Sequence, residues 1–262
     1  MITSTANSRI RELVKLKKNP KARAERGVFL VEGPKMFREI PRALLREAYA
    51  TESFLKSGEG RQALSQGVAV ETVSDPVFQY LSDTRSPQGI LAVVSLLRYT
   101  TADLLPSEDG KALIMILENL QDPGNLGTIL RAAEAAGATG ILLSRTSADI
   151  YNPKVTRSTM GSIFRVPFVY TDHLHEDMRW LQARGVKLYA AHLKGSADMY
   201  SETYTGPCAF LIGNESRGLT EETASVADQA VRIPMSGQVE SLNAAVASAV
   251  LLYEAKRQRM IL

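Results

Sequence analysis

Residues 112–133 read ALIMILENLQDPGNLGTILRAA, an apolar run that gives way to a polar loop and then to a helical pattern. The run 112–117 predicts a strand, and 127–136 predicts a helix. Asn119, Asp122 and Asn125 fall between them, and Arg131 is expected in the first turn or so of the helix. A helix start carries partial positive charge and favours acidic residues, so an arginine there indicates an anion that comes from outside the chain.

The composition is that of a soluble globular protein. The chain has 262 residues, of which 45% are hydrophobic and 23% are charged, enough for one large domain or two ordinary ones. No run of about 18 apolar residues predicts a membrane span, and the N-terminus does not resemble a secretory signal. The single cysteine, Cys208, cannot form an intrachain disulfide, so we expect a cytoplasmic protein.

The net charge of +3 conceals an uneven distribution. Residues 1–50 contain twelve Lys or Arg and five Glu, which makes this segment +7 and leaves −4 for the remainder. A basic segment of this kind is typical of a surface that binds a polyanion such as RNA. The alternative is a solvated helix face that is merely rich in lysine.

The first part of the chain predicts a small α/β module that ends near Leu97. Its predicted helices are 8–18, 34–45 and 76–81, and its predicted strands are 28–33, 68–73 and 90–94. Residues 98–110 lose this periodicity and contain Pro106 and Gly110, as expected of a linker.

Strands and helices alternate from Lys111 onward. The predicted strands are 112–117, 140–144, 166–170, 187–192, 208–213 and 230–234, and the predicted helices between them are 127–136, 153–161, 173–184, 220–227 and 241–257. This alternation predicts a mainly parallel sheet with helices on both faces. In such sheets ligands bind beyond the carboxyl ends of the strands.

Three loops at predicted strand ends combine glycine with polar side chains: 118–127, 213–219 and 233–243. Each loop alone could be ordinary turn chemistry, with Thr220 and Ser241 as helix N-caps. Together at one edge of a parallel sheet they favour a binding site. None matches a phosphate-binding P-loop or a dinucleotide-binding glycine motif, which disfavours nucleoside triphosphatases and dehydrogenases.

The same loops resemble the three motifs of the SpoU (TrmH) group of SPOUT RNA methyltransferases. Residues 119–133, 211–219 and 233–254 resemble motifs one, two and three in the family order. Residues 8–97 resemble the ribosomal-protein-like substrate-binding domain that precedes them in many members. The resemblance implies an RNA-binding domain at 1–97, a linker at 98–110 and a methyltransferase domain at 111–262 that is α/β with a C-terminal trefoil knot.

The resemblance also implies a function. The cofactor would be S-adenosylmethionine and the reaction methylation of a ribose 2′-hydroxyl in structured RNA, with ribosomal RNA favoured over transfer RNA and a homodimer as the assembly. Matching residue by residue, the implied catalytic residues are Arg131, Asn125, Glu215, Ser241 and Asn243, and the implied cofactor-binding residues are Gly213, Ile233, Met235 and Leu242. Because a guanidinium stays protonated, we expect Arg131 to anchor a phosphate or alkoxide rather than to act as a base.

Other classes of function have less support from the sequence. A non-catalytic RNA-binding protein that kept the cofactor fold, or an enzyme acting on a small nucleotide, stays open as an alternative. Cys208 lies in an apolar strand and is expected to be a buried hydrophobe rather than a nucleophile. The spacing of His173, His175 and His192, without a nearby cysteine or acid cluster, does not predict a metal site. The sequence leaves open the methylated nucleotide and a role in antibiotic resistance.

Overall fold

The computed structural model describes residues 1–65, 68–106, 111–193 and 197–260. The chain forms two compact units. One contains Met1–Leu97 and Asp149–Phe164, and the other contains Arg98–Ala148 and Arg165–Leu262. Within the described ranges, no helix combines the length and the apolar character needed to cross a membrane.

The first 97 residues form a four-stranded sheet with short helices. The elements are α1 Ser8–Lys18, α2 Pro20–Arg26, β1 Val28–Glu32, α3 Pro34–Arg38, β2 Leu45–Thr51, α4 Glu52–Lys56, α5 Gly58–Ser65, β3 Val70–Val73, α6 Asp75–Leu81 and β4 Ile90–Ser95. The strand order is β1-β4-β2-β3, in which β2 and β3 are parallel and the other pairs antiparallel. Ile10, Leu13 and Leu16 of α1 are buried in the core of this unit.

The predicted helix 34–45 is wrong beyond Arg38. A short 3-10 turn covers Arg42–Leu44, and the next seven residues form strand β2. The sequence around Leu45 is rich in good helix formers, but β2 pairs with β4 on one side and β3 on the other. Ala48, Tyr49 and Ala50 are fully buried there, so pairing and burial outweigh the local preference.

The remaining elements follow in chain order and are mostly those expected. They are β5 Leu113–Leu117, α7 Pro123–Ala136, β6 Gly140–Ser144, α8 Pro153–Ser158, β7 Phe168–Thr171, α9 Leu174–Gln182, β8 Lys187–Ala191, β9 Ala197–Asp198, β10 Cys208–Ile212, α10 Glu221–Val226, β11 Gln229–Arg232 and α11 Ala244–Met260. The second sheet has the order β7-β6-β5-β10-β8-β11-β9, and its pairs are parallel. The predicted parallel sheet is confirmed.

The register of this sheet brings the first two predicted loops side by side. Strands β5 and β10 are neighbours, with Leu117 opposite Ile212 at their carboxyl ends. The backbone pairing continues one step further, because the N–H of Glu118 donates to the carbonyl of Ile212 at 2.9 Å. The loops after both strands therefore leave the sheet together.

One segment lies in a different unit from the one the sequence indicated. Residues 149–164 fall between β6 and β7 in the chain, yet they pack within the first unit. The Tyr151 hydroxyl donates to the carbonyl of Leu97 at 2.9 Å and accepts from its N–H at 3.0 Å, and the Tyr151 ring lies 4.8 Å from that of Phe29. The functional boundaries that the sequence predicts, 1–97, 98–110 and 111–262, remain a prediction. The trefoil knot also remains a prediction. Residues 66–67, 107–110, 194–196 and 261–262 lie outside the described residues.

Candidate active site

The loop after β5 is held in an unusual backbone conformation. Asn119 has φ of 53°, a left-handed value that a short polar side chain tolerates. Its N–H donates to Ser144 Oγ at 2.8 Å, and its side-chain oxygen accepts from Thr146. These contacts at the end of β6 fix the direction in which the loop leaves the sheet.

The loop after β10 is closed by its own backbone. Asn214 and Gly218 exchange two backbone hydrogen bonds, of 3.0 and 2.8 Å. Gly213 is buried beneath this turn, and a Cβ on it would lie 2.1 Å from the carbonyl carbon of Gly218. Asn214 Nδ2 donates to the carbonyl of Asn119 at 2.9 Å, so this side chain joins the second loop to the first.

Glu215 makes a second connection between these loops. Its carboxylate accepts from the N–H groups of Gln121 at 3.1 Å and Asp122 at 2.8 Å, and from Asn125 Nδ2 at 3.1 Å. Partial desolvation tends to raise the pKa of Glu215, but these three donors outweigh it and the pKa is lowered. Glu215 is therefore held as a carboxylate at the entrance of α7.

Asn125 carries the connection onward to the third loop. Asn243 Nδ2 donates to Asn125 Oδ1 at 2.9 Å, while Asn243 Oδ1 accepts from the N–H of Ala245 at 2.9 Å. A backbone N–H only donates and a carboxylate only accepts, so the network from Ala245 to Glu215 fixes the orientation of both amides. Glu215, Asn125 and Asn243 thus form one directed chain of hydrogen bonds, which we call the amide relay.

The third loop differs from expectation at its helix. Asn243, not Ser241, caps α11, because Asn243 Oδ1 accepts the N–H groups at the start of the helix. Ser241 lies exposed on the loop and makes no hydrogen bond among the described residues. Ile233, Met235 and Leu242 are half-buried along the same loop.

Arg131 lies further along its helix than the sequence indicated. Helix α7 begins at Pro123, with Asp122 as N-cap accepting from the N–H of Asn125 at 2.7 Å. Asn125 is thus in the first turn and Arg131 is nine residues into the helix, so the expected place of Arg131 at the helix start is wrong. The six residues from Asn125 to Arg131 correspond to about 9 Å along the helix axis. The Arg131 side chain is exposed and makes no polar contact within the described chain.

Comparison with known proteins identifies the family. The SpoU rRNA Methylase family matches residues 112–253, which include all three loops and the amide relay, and an MRM3-like substrate binding domain matches residues 7–92. This chain belongs to the SpoU rRNA methylase family. The predicted family resemblance is confirmed, and the match covers more than half of the chain.

Similar proteins cover three quarters of this chain or more. A 23S rRNA (guanosine(2553)-2′-O)-methyltransferase, RlmP of Bacillus subtilis, is 32% identical over 96% of this chain and 97% of its own. A 23S rRNA (guanosine-2′-O-)-methyltransferase, RlmB of Xanthomonas axonopodis pv. citri, is 34% identical over 76% of this chain and 82% of its own. The crystal structure of the SpoU methyltransferase AviRb from Streptomyces viridochromogenes, in complex with its cofactor AdoMet, has a TM-score of 0.87. It is 31% identical and covers 97% of this chain and 98% of that one.

Two residues of this SpoU chain connect its loops, although the sequence does not predict them as site residues. Asn214 follows the glycine at the end of β10, where an Asn that bonds its own turn could have been suspected. The carboxylate of Glu118 is buried and accepts from the N–H and the hydroxyl of Thr220, both at 2.8 Å, and from the hydroxyl of Thr223. The signal for Glu118 was a charged residue directly after an apolar strand. Its partners lie about a hundred residues away, so the sequence does not show them.

The surroundings of Cys208 in this SpoU chain are those of a structural residue. Cys208 is buried, and desolvation raises the pKa of its thiol to about 11, although the nearby Arg259 opposes the shift. At neutral pH the thiol is therefore protonated and a poor nucleophile. Among the residues that the structure describes, no group of three or more His, Cys, Asp or Glu could hold a metal ion.

Proposed function

We propose that this chain transfers the methyl group of S-adenosylmethionine to a ribose 2′-hydroxyl of 23S ribosomal RNA, in the cytoplasm. The observation that carries the proposal is the amide relay, which joins three loops at the carboxyl ends of a parallel sheet. The relatives support the substrate, because RlmP and RlmB are named as 23S rRNA 2′-O-methyltransferases.

The third loop fits the cofactor. The backbone of residues 235–242 makes no hydrogen bond within the described chain, which leaves N–H and C=O groups to pair with the edge of an adenine. Ile233, Met235 and Leu242 are half-buried beside these groups and can pack against the faces of the ring. The tight turn over Gly213 would complete the cofactor site at the same edge of the sheet. When bound, S-adenosylmethionine supplies an electrophilic methyl group.

The charged groups have separate roles in this proposal. A ribose hydroxyl must lose its proton as the methyl group is transferred, and Arg131 stays protonated, so Arg131 would bind an RNA phosphate or stabilise the forming alkoxide. Glu215 has a lowered pKa and already accepts three hydrogen bonds, which makes it a poor proton acceptor. We assign Glu215, Asn125 and Asn243 to positioning the loops, and the proton to a phosphate oxygen or water. Ser241 is exposed and could contact the substrate ribose.

We further propose a homodimer in which Arg131 completes the partner's site. Arg131 lies apart from the amide relay and has no partner in its own described chain, which favours a role toward another molecule. Helix α11 packs against α7 with one face and exposes Val246, Tyr253 and Met260. These three residues are spaced by seven, so they form an apolar stripe along one face of the helix. Such a stripe is suited to a two-fold contact with a second copy.

The experiment is transfer of labelled methyl groups from S-adenosylmethionine to 23S rRNA transcript, followed by mapping of 2′-O-methylated riboses. We expect the native protein to label one site. Arg131→Ala should reduce the rate by about a hundredfold or more, as when one preorganised donor is lost from a transition state. Arg179→Ala, which removes another exposed arginine that makes no ion pair in the described chain, should leave the rate unchanged.

Mixing Arg131→Ala with Asn243→Ala, which breaks the amide relay and should also abolish methyl transfer, tests the shared site. If Arg131 acts across the interface, Arg131→Ala and Asn243→Ala subunits together should recover roughly a quarter of native activity, because half the dimers are mixed and each has one intact site. No recovery from exchanged subunits would contradict a shared site. Labelling of transfer RNA instead would reassign the substrate, and RNA binding without any methyl transfer would reject the enzyme in favour of a binding protein.

A further inference from the structure

Helix α1 exposes three cations on one face. Arg11, Lys15 and Lys18 are spaced by four and three residues, which places them along a single stripe of the helix. The opposite face carries buried apolar residues such as Leu13. We call Arg11, Lys15 and Lys18 the basic stripe.

The structure separates these cations from the other basic residues near the N-terminus. Most of the others have acidic partners: Arg9 with Glu71, Lys17 with Asp83, Lys21 with Glu25, Arg23 with Asp149, Arg26 with Glu12 and Glu47, and Arg38 with Glu59. The basic stripe makes no ion pair within the described chain. Glu12 is the acidic residue of α1, and its carboxylate lies 3.0 Å from Arg26 rather than against the stripe. The three cations of the basic stripe therefore lie together on one solvent-facing surface without acidic partners in the described chain.

Helix stability does not account for the whole stripe. Lys15 and Lys18 lie toward the C-terminus of α1, where cations interact favourably with the helix dipole. Arg11 is the fourth residue of the helix, close to the positive end, where the dipole disfavours a cation. Its position in line with two lysines that make no ion pair in the described chain favours an anion that approaches from outside.

We propose that the basic stripe binds the phosphate backbone of the RNA substrate. The inference rests on the proposed function for its substrate and names the surface of the first unit that holds it. Arg11 and Lys18 are about 10 Å apart along the helix axis, so the stripe can contact successive phosphates of one strand. Contacts of this kind fix the position of the RNA without reading its bases.

The test compares RNA affinity at several salt concentrations for the intact protein and the triple variant Arg11→Gln, Lys15→Gln, Lys18→Gln. The probe is 23S rRNA transcript in a binding assay without methyl transfer. Loss of three phosphate contacts should lower the slope of log affinity against log salt by about 2 to 3. In the methylation assay KM for RNA should rise, while kcat at saturating RNA stays unchanged. Glutamine has a helix propensity close to that of lysine and arginine, so α1 should remain folded, as circular dichroism will show.

Two control variants distinguish the effect of where the cations lie from the effect of the total charge. Arg11→Lys, Lys15→Arg, Lys18→Arg keeps the charges and should bind as the native protein does. Lys35→Gln, Lys56→Gln, Arg85→Gln removes three exposed cations from separate places in the same unit and should leave the salt slope nearly unchanged.

Equal RNA binding by the stripe variant, or an equal loss in the dispersed control, would overturn the proposal. Stripe-dependent binding to phosphatidylglycerol vesicles, with RNA binding unaffected, would also overturn it. If RNA binding depends on the stripe but no variant transfers methyl groups, the basic stripe stands and the proposed function fails.

Discussion

Glu215 illustrates how a residue can organise a site without taking part in proton transfer. Glu215 is exposed, yet its carboxylate accepts hydrogen bonds from two backbone N–H groups and one side-chain amide of the first loop. A free carboxylate in water would be a better base than this one. The geometry therefore favours a positioning role, and its measurable consequence is in stability.

Replacing Glu215 by glutamine should destabilise the protein in a pH-dependent manner. Because the folded pKa lies below the unfolded one, the stabilising contribution is complete above the ordinary glutamate value and disappears as the pH falls through the folded pKa. At pH 7 we expect Glu215→Gln to lower the free energy of unfolding by about 1 kcal/mol, a figure reduced for solvent exposure. Urea unfolding at pH 7 and at pH 3 to 4 should show the difference between native and variant narrowing in acid.

Glu240→Gln is the control for Glu215, because Glu240 is exposed and makes no ion pair or side-chain hydrogen bond within the described chain. It should unfold as the native protein does at every pH. If Glu215→Gln lowers the free energy of unfolding by the same amount at every pH, the hydrogen bonds from the three donors do not depend on the charge of the carboxylate.

At the level of elements, the sequence predicts best what depends on local periodicity. The sequence predicts the strands of the second sheet other than β9, and the loops after β5, β10 and β11, because most of these strands are short apolar runs that end in glycine or polar residues. Strand β2 was missed, since the residues around Leu45 favour a helix and only pairing with β3 and β4 makes them extended. The sequence does not predict the early start of α7, because Pro123 and Gly124 are typical of a loop. Proline suits the first turn of a helix, and Asp122 caps it.

The contacts within the site were beyond prediction from one sequence. Gln121 and Glu215 are 94 residues apart in the chain, and Asn125 and Asn243 are 118 apart. Order and spacing of motifs indicate that the loops converge, but they do not show which side chains meet. The register of β5 against β10 brings the first two loops side by side, and the side-chain contacts among all three loops become visible only in the structure.

The turn after β10 should tolerate no side chain at Gly213. A Cβ there would lie 2.1 Å from the carbonyl carbon of Gly218 and 2.2 Å from the nitrogen of Leu219, which are backbone atoms that cannot move without opening the turn. We expect Gly213→Ala to lower the free energy of unfolding by roughly 3 kcal/mol and to weaken S-adenosylmethionine binding. Gly206→Ala is the matched control, since a Cβ at Gly206 meets nothing within 4 Å. Calorimetry of both variants checks the difference, and equal stability would contradict the close packing.

At the scale of the whole molecule, the two units are interleaved along the chain. The first unit takes its main part from residues 1–97 and then receives Asp149–Phe164, which leave the second unit after β6 and return to it before β7. Ile150, Val155 and Ile163 in this segment are fully buried. Residues 111–262, which the sequence predicts as the methyltransferase domain, therefore contribute one segment to the first unit.

A fragment of residues 98–262 should accordingly be unstable, although it keeps every loop of the site. Without residues 1–97, the side chains of Ile150, Val155 and Ile163 lose their packing, and each contributes roughly 1.5 to 3 kcal/mol when buried. We expect this fragment to bind a hydrophobic dye and to aggregate on heating. The same fragment with residues 149–164 replaced by a glycine-serine linker should be more soluble and bind less dye. If the unmodified fragment instead melts cooperatively without dye binding, the segment folds independently of the first unit, and the second unit would be a complete domain after all.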